Sequence, residues 1–179
     1  MKTKSIVWFN LLHVLSWIIF IGLCIKTAAL FFSYLFIMVV NPNGASDLYL
    51  GLNLSGLYVF DTGYFSALVL SMVIIMAMKA YIFYLVIRIF LKLNLVHPFS
   101  SEVAGLISKI SYEALAIGFL SFTVSRYVQW LSKKGAVLPN LNDFLGSADE
   151  FLFLGGVIFV IAQVFRRGVE IQSENDLTV

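Results

Sequence analysis

The sequence predicts an all-α fold: a transmembrane four-helix bundle in one domain, with a small extracytoplasmic cap formed by two loops. Hydrophobic residues make up 60% of the 179 residues and charged residues only 12%, and the mean hydropathy is +0.94. Soluble domains carry about 25% charged residues, so a soluble fold of this composition would expose large apolar patches. The lipid bilayer is therefore the expected environment.

Four stretches have the composition of a crossing helix, which needs about 20 mostly apolar residues. They are residues 5–40, 64–93, 101–131 and 147–168, followed by a cytoplasmic tail, 169–179. The first stretch is longer than one crossing requires, and no turn signal divides it. It predicts a single helix that is either tilted or broken near Lys26.

The segment NLVHPFSSE predicts a tight hairpin between the second and third crossings. Pro98 favours an extended residue before it, while Ser100 and Glu102 suit the first turn of the next helix. Basic residues flank this hairpin and both termini, whereas the loop 41–62 has none. The positive-inside rule therefore places both termini and the hairpin in the cytoplasm of a multi-pass inner-membrane protein. Two lysines in the loop 132–146 run against the rule.

Small residues recur at every seventh position along the third crossing: Ala104, Ser111, Gly118 and Ser125. Lipid supplies little hydrophobic force between helices, so close backbone approach over small residues holds them together. Gly155 and Gly156 form a matching flat patch on the fourth crossing. We expect the third helix near the centre of the bundle. The alternative is a self-association face for a homo-oligomer.

The two outer loops predict the cap. Residues 48–55 alternate leucine with small or polar residues, which is the period of a strand, and residues 133–146 are rich in turn formers. We expect a cap that contains a short β-element. The alternative is that both loops lie as aromatic-rich segments at the membrane interface.

Two ionisable residues fall inside crossings, where a charge is costly and so marks a candidate site. Lys79 and Glu113 differ in depth by roughly 3 Å when counted from the hairpin, so a pair between their helices is feasible. Such a pair either fixes helix register or belongs to a relay or polar pocket. The structural role is favoured, because a conducting path needs more polar lining.

Other candidate residues lie towards the outer surface. Arg126 is expected to meet Asp149 or Glu150, at the start of the fourth crossing, in an outer clasp. Cys24 is interpreted as a small buried residue. As the single cysteine, it excludes an internal disulfide and any multi-thiolate metal site.

Motifs for enzymatic chemistry are absent from the sequence. It contains no zinc-protease pattern, phosphate-binding glycine loop or nucleophile elbow. We therefore expect no catalytic residues, metal or cofactor, and no enzymatic activity. The net charge of +2 is too small to predict direct binding to nucleic acid.

The chain ends in QVFRRGVEIQSENDLTV, where an apolar run gives way to charge. Arg166 and Arg167 are expected to anchor the fourth helix among cytoplasmic headgroups. Glu170 pairs with Arg166 if the helix continues, because the two are four residues apart.

This ending, together with the hairpin LKLNLVHPFSSEVAGLISKISY, resembles the bacterial integral-membrane family Domain of Unknown Function 2975. The resemblance implies four transmembrane helices in a cytoplasmic membrane, without an established activity or catalytic residues. It also implies a cytosolic partner, because members are often encoded beside a helix-turn-helix transcription factor. The docking surface would then combine the HPF turn with five residues near the C-terminus: Arg166, Arg167, Glu170, Glu174 and Asp176.

Two functions therefore remain open. The favoured one is a non-enzymatic sensor or regulatory partner of the helix-turn-helix regulator. The alternative is a small oligomeric transporter or channel that uses Lys79 and Glu113.

Overall fold

A computed structural model describes residues 2–93 and 99–176 of the chain. The helices are α1 (Lys2–Val39), α2 (Ser55–Phe60), α3 (Thr62–Lys92), α4 (Ser101–Lys133), α5 (Asn142–Leu145) and α6 (Ala148–Asp176), with a 3₁₀ segment at Pro42–Asp47. Four of them are long and apolar enough to cross a membrane, and the described residues contain no strand. The predicted all-α, four-helix transmembrane class is confirmed. The predicted turn at residues 97–98 lies outside the described residues, as do residues 177–179.

Polar side chains define where the long helices begin. Asp61 accepts a hydrogen bond from the backbone nitrogen of Tyr64 at 2.8 Å and so caps α3. Ser100 accepts one from the backbone nitrogen of Val103 at 3.2 Å and caps α4, as predicted. Each cap satisfies a backbone donor that has no partner within its own helix.

The first and last helices are both longer than one crossing. α1 runs for 38 residues without a break at Lys26, so it extends about 57 Å. α6 continues through Asp176, so the segment predicted as a cytoplasmic tail from residue 169 is helical as far as residue 176. Both helices therefore project beyond a hydrocarbon layer about 30 Å thick unless they tilt strongly.

α3 and α4 form the centre of the bundle. They pack against each other, while α1 packs on α3 and α6 packs on α4. Among the crossing helices α4 has the largest buried share and α1 the smallest. The expected central position of the third crossing is thus confirmed, and α1 is left as a flank.

Two loops pack together at one end of the bundle, which we call the loop end (residues 40–61 and 134–147). Side chains from both loops join one buried cluster: Leu48, Leu52, Leu54, Leu57, Ala136, Leu141, Phe144 and Leu145. The expected β-element is wrong, because Leu50 and Gly51 have φ angles of 49° and 80° and reverse the chain. The Leu48 backbone nitrogen then donates to the Leu52 carbonyl at 2.9 Å.

Candidate functional site

Lys79 reaches from the middle of α3 to the loop end. Its ammonium donates to the carbonyl oxygens of Phe144 at 3.2 Å and Leu145 at 3.3 Å. It also lies 5.3 Å from the centroid of the Phe151 ring. These carbonyls end the very short helix α5, where backbone acceptors lack partners within the helix. Lys79 therefore supplies a hydrogen-bond donor to backbone carbonyls that have no partner within α5.

Ser121 of α4 completes this arrangement. The fully buried side chain donates to the Leu145 carbonyl at 2.9 Å. Gly146 follows with a φ of 73°, and a Cβ there would lie 3.0 Å from the Lys79 ammonium, so a side chain is disfavoured for two reasons. We call Lys79, Ser121 and the two carbonyls the α5 carbonyl site.

The predicted pair between Lys79 and Glu113 is not formed. Glu113 is half-buried on α4, and no ion pair joins it to Lys79 within the described part of the chain. The prediction compared the depths of the two residues along straight helices. It did not include the segment before α6, which turns inward and supplies a hydrogen-bond acceptor to Lys79. The transport hypothesis depended on this pair, and no described contact favours it.

A second lysine approaches the α5 carbonyl site from α1. Lys26 places its ammonium 4.9 Å from the centroid of the Phe144 ring. Two cations on neighbouring helices therefore converge on one residue of the loop end. The negative face of an aromatic ring is a suitable surface for an ammonium, so Phe144 ties α1, α3 and the second loop together.

The contact between α4 and α6 depends on two glycines. A Cβ on Gly118 would lie 2.7 Å from the Leu152 side chain, and one on Gly155 would lie 2.7 Å from the Leu115 side chain. Ser111 donates to the Gly155 carbonyl at 2.9 Å. The predicted small-residue stripe thus packs inside the chain rather than serving as a self-association face, although Gly156 faces open space.

The other end of α6 is fixed to the start of α4, at what we call the hairpin end (the starts of α1 and α4 and the ends of α3 and α6). Arg166 donates to the Ser108 hydroxyl at 3.1 Å. The Phe99 ring lies 5.3 Å from the Phe165 ring, and a Cβ on Gly168 would lie 2.6 Å from the Phe99 side chain. The predicted ion pair between Arg166 and Glu170 is therefore wrong, because Arg166 is directed towards α4.

Five charged side chains that face solvent at the hairpin end form ion pairs that the sequence analysis did not predict. Glu170 pairs with Arg167 at 2.6 Å. Glu102 pairs with Lys92 at 3.1 Å and lies 3.9 Å from Arg88. This second cluster was missed, although its members flank the hairpin that was recognised in the sequence.

A shallow groove lies beside Glu170, between the start of α4 and the end of α6. Its volume is about 320 Å³, and its lining includes Ala104, Gly105, Arg166, Val169 and Glu170. A Cβ on Gly105 would meet nothing within 4 Å. Of the other predicted docking residues, Glu174 is exposed and Asp176 is the last helical residue described.

The predicted outer clasp is not formed. Arg126 lies over the Phe122 ring of its own helix, 5.1 Å from the centroid. Asp149 and Glu150 are exposed in the first turn of α6, and the described ion pairs do not join either of them to Arg126. Because Leu152 is level with Gly118, α6 begins more than one turn short of Arg126.

A larger groove runs between α1 and α3, on the flank of the bundle. Its volume is about 600 Å³ and its lining is almost wholly apolar. Cys24 lies in it and is exposed, so the interpretation of Cys24 as a buried residue was wrong. The reason is that α3 is the only crossing helix on which α1 packs in the described part of the chain, so this face of α1 stays uncovered.

Comparison with known proteins identifies the family. A family model described as "Protein of unknown function (DUF2975)" matches residues 53–179. No curated protein and no solved structure gives a significant match. Because the matched region covers well over half of the chain, including α2 to α6, the protein belongs to the DUF2975 family.

Proposed function

We propose that this protein is a non-enzymatic membrane regulator: its loop end detects a signal, and its hairpin end binds a cytosolic helix-turn-helix transcription factor. The proposal rests on the observation that α6 is fixed at both ends of the molecule. This single helix, Ala148–Asp176, is fixed at its start through the α5 carbonyl site and near its end through Arg166. It therefore connects the two ends of the molecule mechanically.

The start of α6 responds directly to the loop end. Only Gly146 and Ser147 separate the carbonyl of Leu145 from the helix. A ligand or stress that changes the bonds from Lys79 or Ser121 to that carbonyl shifts the first turn of α6. Because α6 packs on α4 without voids at Gly118 and Gly155, the shift is passed along the helix rather than absorbed by side chains.

The hairpin end offers a polar surface for a partner. Acidic and basic side chains alternate there in exposed pairs, Arg167 with Glu170 and Lys92 with Glu102. Such a surface selects a partner through charge complementarity more than through apolar area. The groove over Gly105, which Arg166 and Glu170 also line, adds a shallow recess at the same end.

The distribution of basic residues assigns the hairpin end to the cytoplasm in this proposal. Arg88, Lys92, Arg166 and Arg167 all lie there, whereas the loop 41–62 has no basic residue, in keeping with the positive-inside rule. One lysine at the loop end, Lys134, lies 4.0 Å from the centroid of the Trp130 ring. A lysine beside an interfacial aromatic ring is accommodated at the headgroup level.

Partner binding is tested by affinity purification from native membranes. The double variant Arg167→Glu/Glu170→Arg keeps an ion pair in α6 but inverts its direction. Lys133→Glu is the matched control, because this exposed charge is the last residue of α4 and lies next to the loop end. We expect a helix-turn-helix protein to co-purify with the wild type and with the control variant, but not with the double variant. Recovery of no cytosolic protein, or undiminished recovery with the double variant, contradicts the proposal.

The assignment of sides is tested by labelling in a Cys24→Ser background. Val137→Cys reports on the loop end and Ser173→Cys on the hairpin end, and both positions are exposed. An impermeant thiol reagent is expected to label Val137→Cys in intact spheroplasts and Ser173→Cys only after lysis. The reverse pattern would place the docking surface outside the cell and remove the cytosolic partner.

A further inference from the structure

The shallow groove between the start of α4 and the end of α6 contains a guanidinium that no carboxylate of the described residues neutralises. Arg166 lines this groove and is exposed. The ion pairs of the described residues do not include Arg166. The acid in the groove lining, Glu170, is paired with Arg167 at 2.6 Å. The charge of Arg166 is therefore available to a ligand.

The guanidinium is held at the edge of an open recess. Its hydrogen bond at 3.1 Å is accepted by the Ser108 hydroxyl, which is buried and itself donates to the Ala104 carbonyl at 2.9 Å. A guanidinium has five N–H donors, so this bond orients Arg166 and leaves donors for a second acceptor. The recess has room for one, because a Cβ on Gly105 would meet nothing within 4 Å.

The groove lies at the boundary between hydrocarbon and headgroups. Arg166 is the first charged residue after the run 151–165, and Glu150 is the last one before it. The helix rises about 24 Å between them, which is slightly less than the thickness of the hydrocarbon layer, about 30 Å. Arg166 therefore marks the boundary of that layer at the hairpin end.

A second cation lies at the same level on α4. Lys109 directly follows Ser108, the partner of Arg166, and is one turn away from Gly105. It is exposed, and the ion pairs of the described residues do not include it, although Glu113 is four residues further along the helix. Two cations at a membrane boundary favour an anion, and a guanidinium fits a phosphate through two parallel hydrogen bonds.

The surface next to the groove, towards the loop end, is apolar. Tyr112 is one turn from Ser108 in that direction, and its ring lies 6.4 Å from the ring of Phe159. The two side chains are 53% and 38% exposed, and Val160 is 62% exposed. A ligand whose phosphate meets Arg166 thus has apolar surface beside it for hydrocarbon chains, which a soluble anion would leave uncovered.

We propose that this groove binds the headgroup of an anionic phospholipid of the phosphatidylglycerol type. The phosphate accepts hydrogen bonds from Arg166 and Lys109, and the acyl chains pass over Tyr112 and Phe159. Basic recesses between transmembrane helices bind such headgroups in other membrane proteins. A zwitterionic lipid is less suitable, because it brings its own cation close to both basic side chains. The site stands independently of the docking surface, since lipid binding needs no cytosolic partner.

Binding is tested on the full-length protein in a neutral detergent, by native mass spectrometry with phosphatidylglycerol or with phosphatidylcholine of the same acyl chains. We expect the wild type to retain one phosphatidylglycerol selectively. Arg166→Gln is expected to weaken its retention about tenfold, because a charge-assisted contact is lost, and Lys109→Gln is expected to weaken it less. Arg126→Gln is the matched control, because this exposed arginine of α4 lies over the Phe122 ring, away from the groove.

Gly105→Leu separates lipid binding from the contact that Arg166 makes with α4. The variant fills the recess but keeps both cations and the bond from Arg166 to Ser108. We expect it to abolish selective retention. It therefore decides the question even if Arg166→Gln loosens the contact between α4 and α6.

Four results would overturn the proposal. Equal retention of the two lipids would show no preference for an anionic headgroup and would leave the recess to the cytosolic partner. Equal losses in Arg166→Gln and Arg126→Gln would mean that any exposed charge attracts the lipid. Unchanged retention in Gly105→Leu would place the lipid elsewhere. Displacement of phosphatidylglycerol by inorganic phosphate at the same concentration would identify the free anion, rather than the lipid, as the ligand.

Discussion

The two outer helices of the bundle are attached to their neighbours by different means. α6 meets α4 at glycines, and Ser111 adds a hydrogen bond across the contact. α1 meets α3 through rings, with Phe9 and His13 both contacting Phe90 at centroid distances of 4.9 and 5.5 Å. α1 also keeps most of its large apolar side chains exposed.

The difference indicates which pair is fixed and which is adaptable. Lipid surrounds an apolar ring about as well as protein does, so ring contacts add little to helix association. Close backbone approach and hydrogen bonds between helices have no equivalent in lipid. We therefore expect α4 and α6 to behave as one unit, and α1 to depend on the loop end, where Leu30 and Ile37 join the buried cluster.

The largest effect is expected from adding one methyl group between α4 and α6. In Gly118→Ala the new Cβ would lie 2.9 Å from the backbone nitrogen of Leu152, so a helix has to shift, at a cost of about 1–3 kcal/mol. Gly22→Ala on α1 is the control, because a Cβ there meets nothing within 4 Å. Thermal unfolding in nanodiscs should show a lower Tm for Gly118→Ala alone, and equal shifts would refute the contrast.

The next effect is expected at the α5 carbonyl site. Lys79→Met removes two hydrogen bonds to carbonyls and leaves the Phe144 acceptor unsatisfied, at a cost of about 1–3 kcal/mol. Lys26→Met removes only a contact with the Phe144 ring and should cost less. Limited proteolysis of the segment 140–147 provides the measurement, since opening of the loop end exposes it to cleavage. Equal protection of the two variants would show that Lys79 does not hold the segment.

The fold class and the contact between α4 and α6 could both be predicted from the sequence, because both follow from the spacing of residues along the chain. Length and hydropathy indicate four crossings, and small residues at heptad spacing identify the face of α4 that packs, with Ser111 and Gly118 on it. The cap of α4 by Ser100 was also predictable, since capping depends on neighbouring residues only.

The partners of the charged residues were not predictable in the same way. The acceptors for Lys79 are backbone carbonyls. Every residue has a backbone carbonyl, so no sequence pattern identifies the ones that accept a hydrogen bond from a distant side chain. The contact also depends on how far the segment before α6 turns inward, a property of the tertiary structure. The same reason explains why Arg166 bonds to Ser108 on α4 rather than to Glu170 on its own helix.

A smaller effect is expected from Ser111→Ala. The variant removes the hydrogen bond to the Gly155 carbonyl without changing the packing, and hydrogen bonds between membrane helices contribute about 0.6 kcal/mol on average. Thr27→Val on α1 is the control, because the Thr27 hydroxyl donates only to the Leu23 carbonyl of its own helix. Unfolding in a denaturing detergent series should distinguish the two, and a larger loss for Thr27→Val would contradict the contrast.

The smallest effect is expected from Glu102→Gln at the hairpin end. Its ion pair with Lys92 has side chains that are 49% and 48% exposed, and exposed pairs contribute about 0–1 kcal/mol. Salt screens such pairs, so any loss of stability should disappear between low and high ionic strength, whereas the loss in Gly118→Ala is steric and should not. A loss for Glu102→Gln that persists in high salt would mean that this carboxylate is held in a less exposed environment. The hairpin end would then be as fixed as the contact between α4 and α6, and α3 would move with that pair rather than with α1.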